Sequence, residues 1–279
     1  MRIPAKISWD FFVYTMSYFE NKIIWITGAS SGIGEEMANQ LSEAGATLVL
    51  SARNETGLIQ VKNELKNSQN HLCLPLDLAH SENFPELAKQ VIDAYGRIDF
   101  LFNNGGLSQR STVAETSLEI DRRIMEINYF GNIALTKAVL PYMIQKKSGH
   151  IIVISSIAGK FGFFLRSAYS ASKHALYGFY ESLLLEEEKN GIRVTIASPG
   201  KINTEISKHA LNAEGTTHGI MDHNQATGMS AEECVKQILS AVSKNKKDVL
   251  IGKKEIMAVK IKRFFPALFW RIIKKQSAT

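Results

Sequence analysis

From residue 22 onward, short runs of aliphatic and β-branched residues recur between longer stretches in which apolar positions return every three or four residues. Runs that are apolar at nearly every position suit strands buried on both faces of a parallel sheet, and the 3.6-residue period suits the helices that cover them. Residues 22–26, 47–52, 72–76, 100–103, 150–155 and 193–198 read as such strands, with 248–251 as a seventh. This alternation predicts an α/β architecture, a doubly wound parallel sheet of about seven strands with helices on both faces. Gly45, Gly96, Gly149 and Gly191 stand where helices hand back to strands, the place where freedom to adopt positive φ is most useful.

One domain over residues 20–252 accounts for these elements. The rhythm breaks at 201–229, where Asn, Thr, His and Gly are scattered with no sustained period, so this segment reads as a loop or lid over the substrate. Its end is marked by Ser230 and Glu233, a capping box ahead of the apolar positions Cys234, Ile238 and Ala241. Residues 1–19 form an N-terminal extension expected to pack on the domain surface. Its apolar run from Ile7 to Phe19 is broken by Asp10 and is too short to span a bilayer or to make a good signal peptide, and Met16 is an alternative start. A cytoplasmic protein is the expectation.

Composition sharpens the picture in two places. Cys73 and Cys234 are the only cysteines, one in an expected strand and one in an expected helix, so a disulfide framework is excluded and both read as buried thiols in a reducing compartment. The net charge of +6 is unevenly placed: residues 244–275 hold eleven Lys or Arg against Asp248 and Glu255, a local +9 that leaves the rest of the chain at −3. Nucleic acid is not an expected partner, because no other part of the chain offers a basic face.

Between the first strand and the first helix stands Thr27-Gly28-Ala29-Ser30-Ser31-Gly32-Ile33-Gly34. Three glycines at a helix N-terminus let backbone amides approach a pyrophosphate, which marks a dinucleotide cradle in this strand-turn-helix setting. The nucleotide is selected about 20 residues further on, where an acid would hold a ribose 2'-hydroxyl and a basic group a 2'-phosphate. The second strand ends Ser51-Ala52-Arg53-Asn54, with no carboxylate, and the planar fork of Arg53 suits phosphate oxygens. NADP(H) is therefore the expected cofactor.

Tyr169 and Lys173, four apart, share a helix face. A phenol is a poor base near neutrality, and an ammonium beside it favours the phenolate. Taken in order, the glycine turn, Asn103-Asn104-Gly105-Gly106, Asn128, Ser155-Ser156, Tyr169-x3-Lys173 and Pro199-Gly200 closely resemble the short-chain dehydrogenase/reductase family over residues 20–252. Ser51-Ala52-Arg53 and Tyr169 to Leu176 are most similar to the branch of 11-beta-hydroxysteroid dehydrogenase and the retinoid and steroid reductases. The resemblance implies a Rossmann fold and a hydride transfer between NADP(H) and a carbonyl or alcohol. It implies Tyr169 as acid/base, Lys173 lowering its pKa and binding the nicotinamide ribose, and Ser156 holding the substrate oxygen, with Ser155 structural. Asn128 would hold a water that relays protons, and Asn103 would steady the sheet beside the cofactor. Further cofactor contacts implied are Ser30, Ser31, Ile33, Asn54, Asp77 against the adenine, Leu78, Asn104, Gly105, Pro199, Gly200, Ile202, and Thr204 on the carboxamide. Where the family usually has Ala, this chain has Gly105.

Phe161-Gly162-Phe163-Phe164-Leu165 would line a pocket for a lipophilic steroid-, retinoid- or acyl-ketone-like substrate, or belong to ordinary core packing. His209, His218, His223 and Asp222 match no metal-ligand spacing, so solvated histidines in a polar lid and no metal are expected. The tail, residues 253–279, interleaves aromatics with cations, as either a peripheral membrane contact or a packing surface would. The family resemblance also implies a homodimer or homotetramer through helices around 121–143 and 169–188. A catalytically silent NADP(H)-sensing regulator is the rival, against which the complete Asn128, Ser156, Tyr169 and Lys173 set argues.

Overall fold

The computed structural model describes residues 15–276. Most of the N-terminal extension, including the first part of its apolar run, lies outside the described residues. Seven strands, β1 (Ile23–Thr27), β2 (Thr47–Ser51), β3 (Leu72–Cys73), β4 (Phe100–Asn103), β5 (Gly149–Ile154), β6 (Ile192–Pro199) and β7 (Asp248–Ile251), form one sheet in the order β3-β2-β1-β4-β5-β6-β7. Every pairing is parallel. The sheet is the doubly wound Rossmann arrangement, and its strand order reverses between β1 and β4, which opens a crevice beyond their carboxyl ends.

α1 (Gly32–Glu43), α2 (Glu55–Glu64) and α3 (Phe84–Tyr95) follow the first three strands. α4 (Leu118–Met125), a π turn at Glu126–Phe130 and α5 (Gly131–Gln145) join β4 to β5, and α6 (Ser167–Glu187) joins β5 to β6. α7 (His223–Ala226) and α8 (Ala231–Ser243) precede β7, and α9 (Met257–Phe264) and α10 (Pro266–Ile273) close the chain. Successive strand residues point to opposite faces, and both faces are covered. Ile24, Ile26, Leu48 and Leu50 pack with Met37 and Leu41 of α1 and Ile238 and Leu239 of α8. Trp25, Val49, Leu101 and Val153 pack on the other side with Val91, Val139 and Leu176 of α3, α5 and α6. That double burial is why the strands are apolar at nearly every position.

Several expectations change. β3 is two residues long, not five, although Leu74 N donates to Leu50 O at 2.9 Å and Leu76 N to Ala52 O at 3.1 Å, so the chain keeps running along β2. Gly149 has no positive φ; Lys147 takes the left-handed place (φ 50), and Gly149 sits inside β5, where a Cβ would lie 2.4 Å from the Met143 sulfur. The end of the N-terminal extension is core rather than surface: Phe19 is fully buried and packs edge-on against Tyr18 at 5.2 Å and tilted on Phe100 at 5.4 Å. Cys234 is buried as expected, with burial pushing its thiol up to about 12, but Cys73 is only half-buried at the short β3. The helix expected around 121–143 runs continuously from α4 into α5 and is widened between them by the π turn that holds Asn128.

Candidate active site

The nucleotide end of the crevice is shaped by backbone that has no room for side chains. A Cβ on Gly34 would lie 2.1 Å from the carbonyl oxygen of Gly28, and one on Gly28, whose φ is 65°, would lie 2.9 Å from Asn104 Nδ2 and Gly105 Cα. Asn104 holds the turn by donating Nδ2 to Thr27 O at 3.0 Å and Gly28 O at 3.3 Å. The hydroxyl of Thr27, a residue without a role in the sequence reading, accepts from Asn104 N at 3.0 Å and Gly105 N at 2.9 Å. Its polarity in an otherwise apolar buried strand is the signal that could have found it. At Gly105 a methyl would lie 2.7 Å from Leu78 Cδ1, the movable end of that side chain.

Ser31 is the N-cap of α1 and makes no side-chain cap, so the first amides of the helix face the crevice with the positive end of its dipole. A close-approach cradle of this kind fits a pyrophosphate, with Ser30, Gly32 and Ile33 around it. Arg53 is exposed at the end of β2 and lines an open cleft of about 470 Å3 with Asp77. Asn54 is committed elsewhere, since its side chain caps α2 by accepting from Gly57 N at 3.0 Å. Asp77 Oδ1 accepts from Ala79 N at 3.0 Å, which fixes the carboxylate's orientation at the cleft edge.

At the other side of the crevice, α6 carries Tyr169 and Lys173 against Ser156 at the end of β5. Burial raises the Tyr169 phenol above its ordinary value, opposed by the Ser156 hydroxyl and then by Arg110 and Arg166. Lys173 is buried, donates Nζ to Ile154 O at 2.9 Å, stands 5.7 Å from the Tyr169 ring centre, and is lowered by desolvation to about 8. Ser156 Oγ accepts from Ala158 N at 3.1 Å and donates to Pro199 O at 3.4 Å, which points it across the cleft. Ser155 is turned away and donates to Lys173 O at 3.1 Å.

Asn128 is fully buried. Its Nδ2 donates to Leu107 O at 2.8 Å and to Ser172 Oγ at 3.0 Å, and its Oδ1 accepts from Leu107 N at 2.7 Å. Both amide hydrogens are thus given to the protein. A water here would be held by the spare lone pair of Oδ1 or by backbone loosened in the π turn. A Cβ on Gly106 would lie 3.1 Å from Asn128 Oδ1 and 3.5 Å from Lys173 Nζ, so these two polar groups flank one point. Asn103 donates to Thr136 Oγ1 at 2.8 Å and Tyr180 OH at 3.0 Å, tying β4 to α5 and α6.

Tyr169, Lys173, Ser156, Pro199, Gly200, Ile202 and Thr204 all line one cavity of about 540 Å3. Thr204 lies across the cleft from Gly32, where a Cβ would approach its side chain to 3.3 Å. Of the aromatic run, Phe161 and Phe163 line the cavity, while Phe164 points outward. The wall opposite the nucleotide is made by the tail, which folds back as α9 and α10 and contributes Met257, Ile261, Phe269, Ile272 and Ile273. Glu255, missed in the sequence, secures this wall: its Oε1 accepts from Lys201 N at 3.3 Å and Lys253 N at 3.1 Å.

The 201–229 segment is closed at its base by a parallel bridge between Ile202 and Met229, and it is not a freely solvated lid. Asp222 is buried, and its Oδ2 accepts from Arg110 Nε at 2.8 Å, Arg110 Nη2 at 2.5 Å and Arg166 Nη2 at 2.9 Å. His218 is half-buried, 3.9 Å from Asp222 Oδ1, whereas His209 and His223 are exposed. Among the described residues no group of three or more His, Cys, Asp or Glu could hold a metal ion.

Residues 22–215 match the profile of the short chain dehydrogenase family. The chain is 43% identical over 271 residues to "Dehydrogenase/reductase SDR family member 7B" of Mus musculus, covering 95% of this chain and 84% of that protein. It is 39% identical over 262 residues to "Dehydrogenase/reductase SDR family protein 7-like" of Drosophila melanogaster, covering 92% and 80%. Among solved structures, a short-chain dehydrogenase from Streptomyces avermitilis is similar with a TM-score of 0.78 at 27% identity, over 92% of this chain and 98% of that one. A metagenomic short-chain oxidoreductase in complex with NADP is similar with a TM-score of 0.68 at 27% identity, over 83% and 97%.

Proposed function

The chain belongs to the short-chain dehydrogenase family, and from that premise we propose that it interconverts a carbonyl and an alcohol on a lipophilic substrate, with NADP(H) as partner and Tyr169 as acid/base. The observation that carries this reading is the meeting of Tyr169, Ser156 and Lys173 on the wall of an apolar cavity that shares its crevice with the glycine cradle. When bound, the dinucleotide supplies or accepts the hydride, for which no side chain is equipped. Gly28, Gly32, Ile33 and Gly34 would hold its pyrophosphate, Arg53 its 2'-phosphate, Asp77 its adenosine end, and Pro199, Ile202 and Thr204 would cover the nicotinamide. Support for NADP(H) comes from exposed Arg53 at the end of β2 and from the NADP complex of the metagenomic relative.

Ser156 orients the substrate oxygen by hydrogen bonding, and Tyr169 gives that oxygen its proton in reduction or removes it in oxidation. Lys173, positioned by Ile154 O, favours the phenolate while it carries its charge. Asn128 keeps the Gly106–Leu107 backbone and Ser172 in register beside Lys173 and connects that corner to water. Burial keeps Tyr169 protonated through neutral pH, which suits the reductive direction. Reduction is expected to hold through neutrality and fall at alkaline pH, as the phenol and Lys173 lose protons, while oxidation rises as the phenolate forms.

The test is NADPH oxidation against a panel of steroids, retinoids, acyl ketones and small aldehydes. Turnover is expected with lipophilic carbonyls, and Tyr169→Phe should lower it on the order of 10^3-fold while NADPH binding, followed by fluorescence titration, is retained. Undiminished turnover in Tyr169→Phe would remove the role given to the phenol. NADPH binding without turnover across the panel would favour a regulator.

A further inference from the structure

The last two helices have two faces with different employment. Inward, Phe269 is buried and meets Phe161 edge-on at 5.2 Å, with Met257, Ile261 and Ile273 beside it in the cavity wall. Outward, Phe264 is 66% exposed, Phe265 64%, Leu268 47% and Trp270 53%, and none of the four lines the cavity. Pro266 and the non-helical Phe265 turn the chain between the helices, so Phe264 and Phe265 stand exposed at the turn while Leu268 and Trp270 stand exposed on the two flanks of buried Phe269. Ile272 belongs to both settings, lining the cavity while 40% exposed. The outer face is therefore one helix thick from the cavity.

Charge decides what fits that face. The exposed cations Lys260, Arg263, Arg271, Lys274 and Lys275 neighbour these aromatics along the chain, Lys262 being turned to the Lys160 carbonyl at 2.9 Å, and no carboxylate occurs between residues 256 and 276. A second copy docked through the same patch would set cations against the same cations, since a two-fold contact repeats one surface on both sides. An anionic lipid surface meets both features, with headgroups for the Lys and Arg and an acyl boundary for Phe, Leu and Trp. Each helix has eight residues, about 12 Å at 1.5 Å per residue, far short of a hydrocarbon core of about 30 Å. Among the described residues no helix is long and apolar enough to cross a membrane. The patch suits a seat on the surface rather than a span.

We propose that α9 and α10 dock on an anionic bilayer surface through Phe264, Phe265, Leu268, Trp270 and the neighbouring cations, so that the wall of the active-site cavity lies against the membrane. The docking stands on the exposed face alone. Its use, the passage of a lipophilic substrate between bilayer and cavity, rests on the function proposed above.

Flotation of the full chain with vesicles of phosphatidylcholine, or of phosphatidylcholine mixed with phosphatidylserine, tests the docking without any turnover. The chain is expected to float with the mixed vesicles, weakly with the neutral ones, and less as salt is raised. The variant Phe264→Ser/Phe265→Ser/Trp270→Ser should lose on the order of a hundredfold in vesicle affinity, with NADPH binding and thermal unfolding unchanged. Failure of the wild-type chain to float with anionic vesicles, or undiminished flotation of the variant, overturns the proposal. So does a variant that floats normally but sediments as a smaller species, because the face would then join two copies. A variant that loses flotation while its KM for a water-soluble carbonyl holds, and its KM for a vesicle-borne one rises, would extend the docking to substrate delivery.

Discussion

At the nucleotide end of the crevice, Gly34 has no space for a methyl group against the Gly28 carbonyl, and the turn is held by hydrogen bonds to backbone. At the substrate end, Phe161, Ile261 and Phe269 fill space with side chains brought from segments about 100 residues apart, fastened by a buried ion cluster and by Glu255. The first end is rigid because its geometry is written in main chain. The second is adaptable because many apolar residues of similar volume could build the same wall. A site can thus keep one exacting neighbour, the cofactor, and leave the other face free to change substrate.

The largest test of that contrast is Asp222. Its carboxylate gathers two guanidiniums, one of them on the almost fully buried Arg110, so Asp222→Ala leaves buried cations without their anion. A loss of about 3–5 kcal/mol is expected, read as a lower urea midpoint, together with a raised KM for the carbonyl and little change in NADPH affinity. An equal effect on both ligands would mean that the two ends are not separately built. Next in size, Gly34→Ala should cost about 1–3 kcal/mol and weaken NADPH binding in calorimetry, because its Cβ meets the Gly28 carbonyl; the substrate wall should be unaffected, as judged by KM at saturating cofactor. Unchanged NADPH affinity would show that the turn does not hold the pyrophosphate. Smallest, Arg53→Ala should leave stability alone, since the side chain is exposed, and lower NADPH affinity about tenfold while sparing NADH. An unaltered preference between the two nucleotides would remove Arg53 as the selector.

Much of the first end was legible along the chain. The strand periodicity located all seven strands, with β3 overextended because an apolar run continued past the last paired residue. The glycines were visible because a backbone that must approach another backbone admits one residue type. Tyr169, Lys173 and Ser156 were legible through their spacing, and the structure brings them to one cavity. Asn128 was legible as a position, but not the commitment of its amide to Leu107 and Ser172, which depends on a π turn with no sequence signal. The helix cap that Asn54 makes through its Oδ1 was not legible in advance.

The second end was hardly legible. Asp222 looked like one polar residue among many in an irregular segment, since nothing local distinguishes a solvated carboxylate from one that meets arginines 56 and 112 positions away. Glu255 gave no sign that it would fasten the start of the tail to the turn after Pro199. By itself the sequence determined the α/β sheet, the glycine turn and the shared helix face of Tyr169 and Lys173, because these rest on local periodicity, steric exclusion and fixed spacing within single elements. Only the tertiary structure decided that the basic, aromatic tail is a wall of the active site on its inner face and an exposed patch on its outer one. Which face of a short helix is buried depends on what the rest of the chain has already placed beneath it.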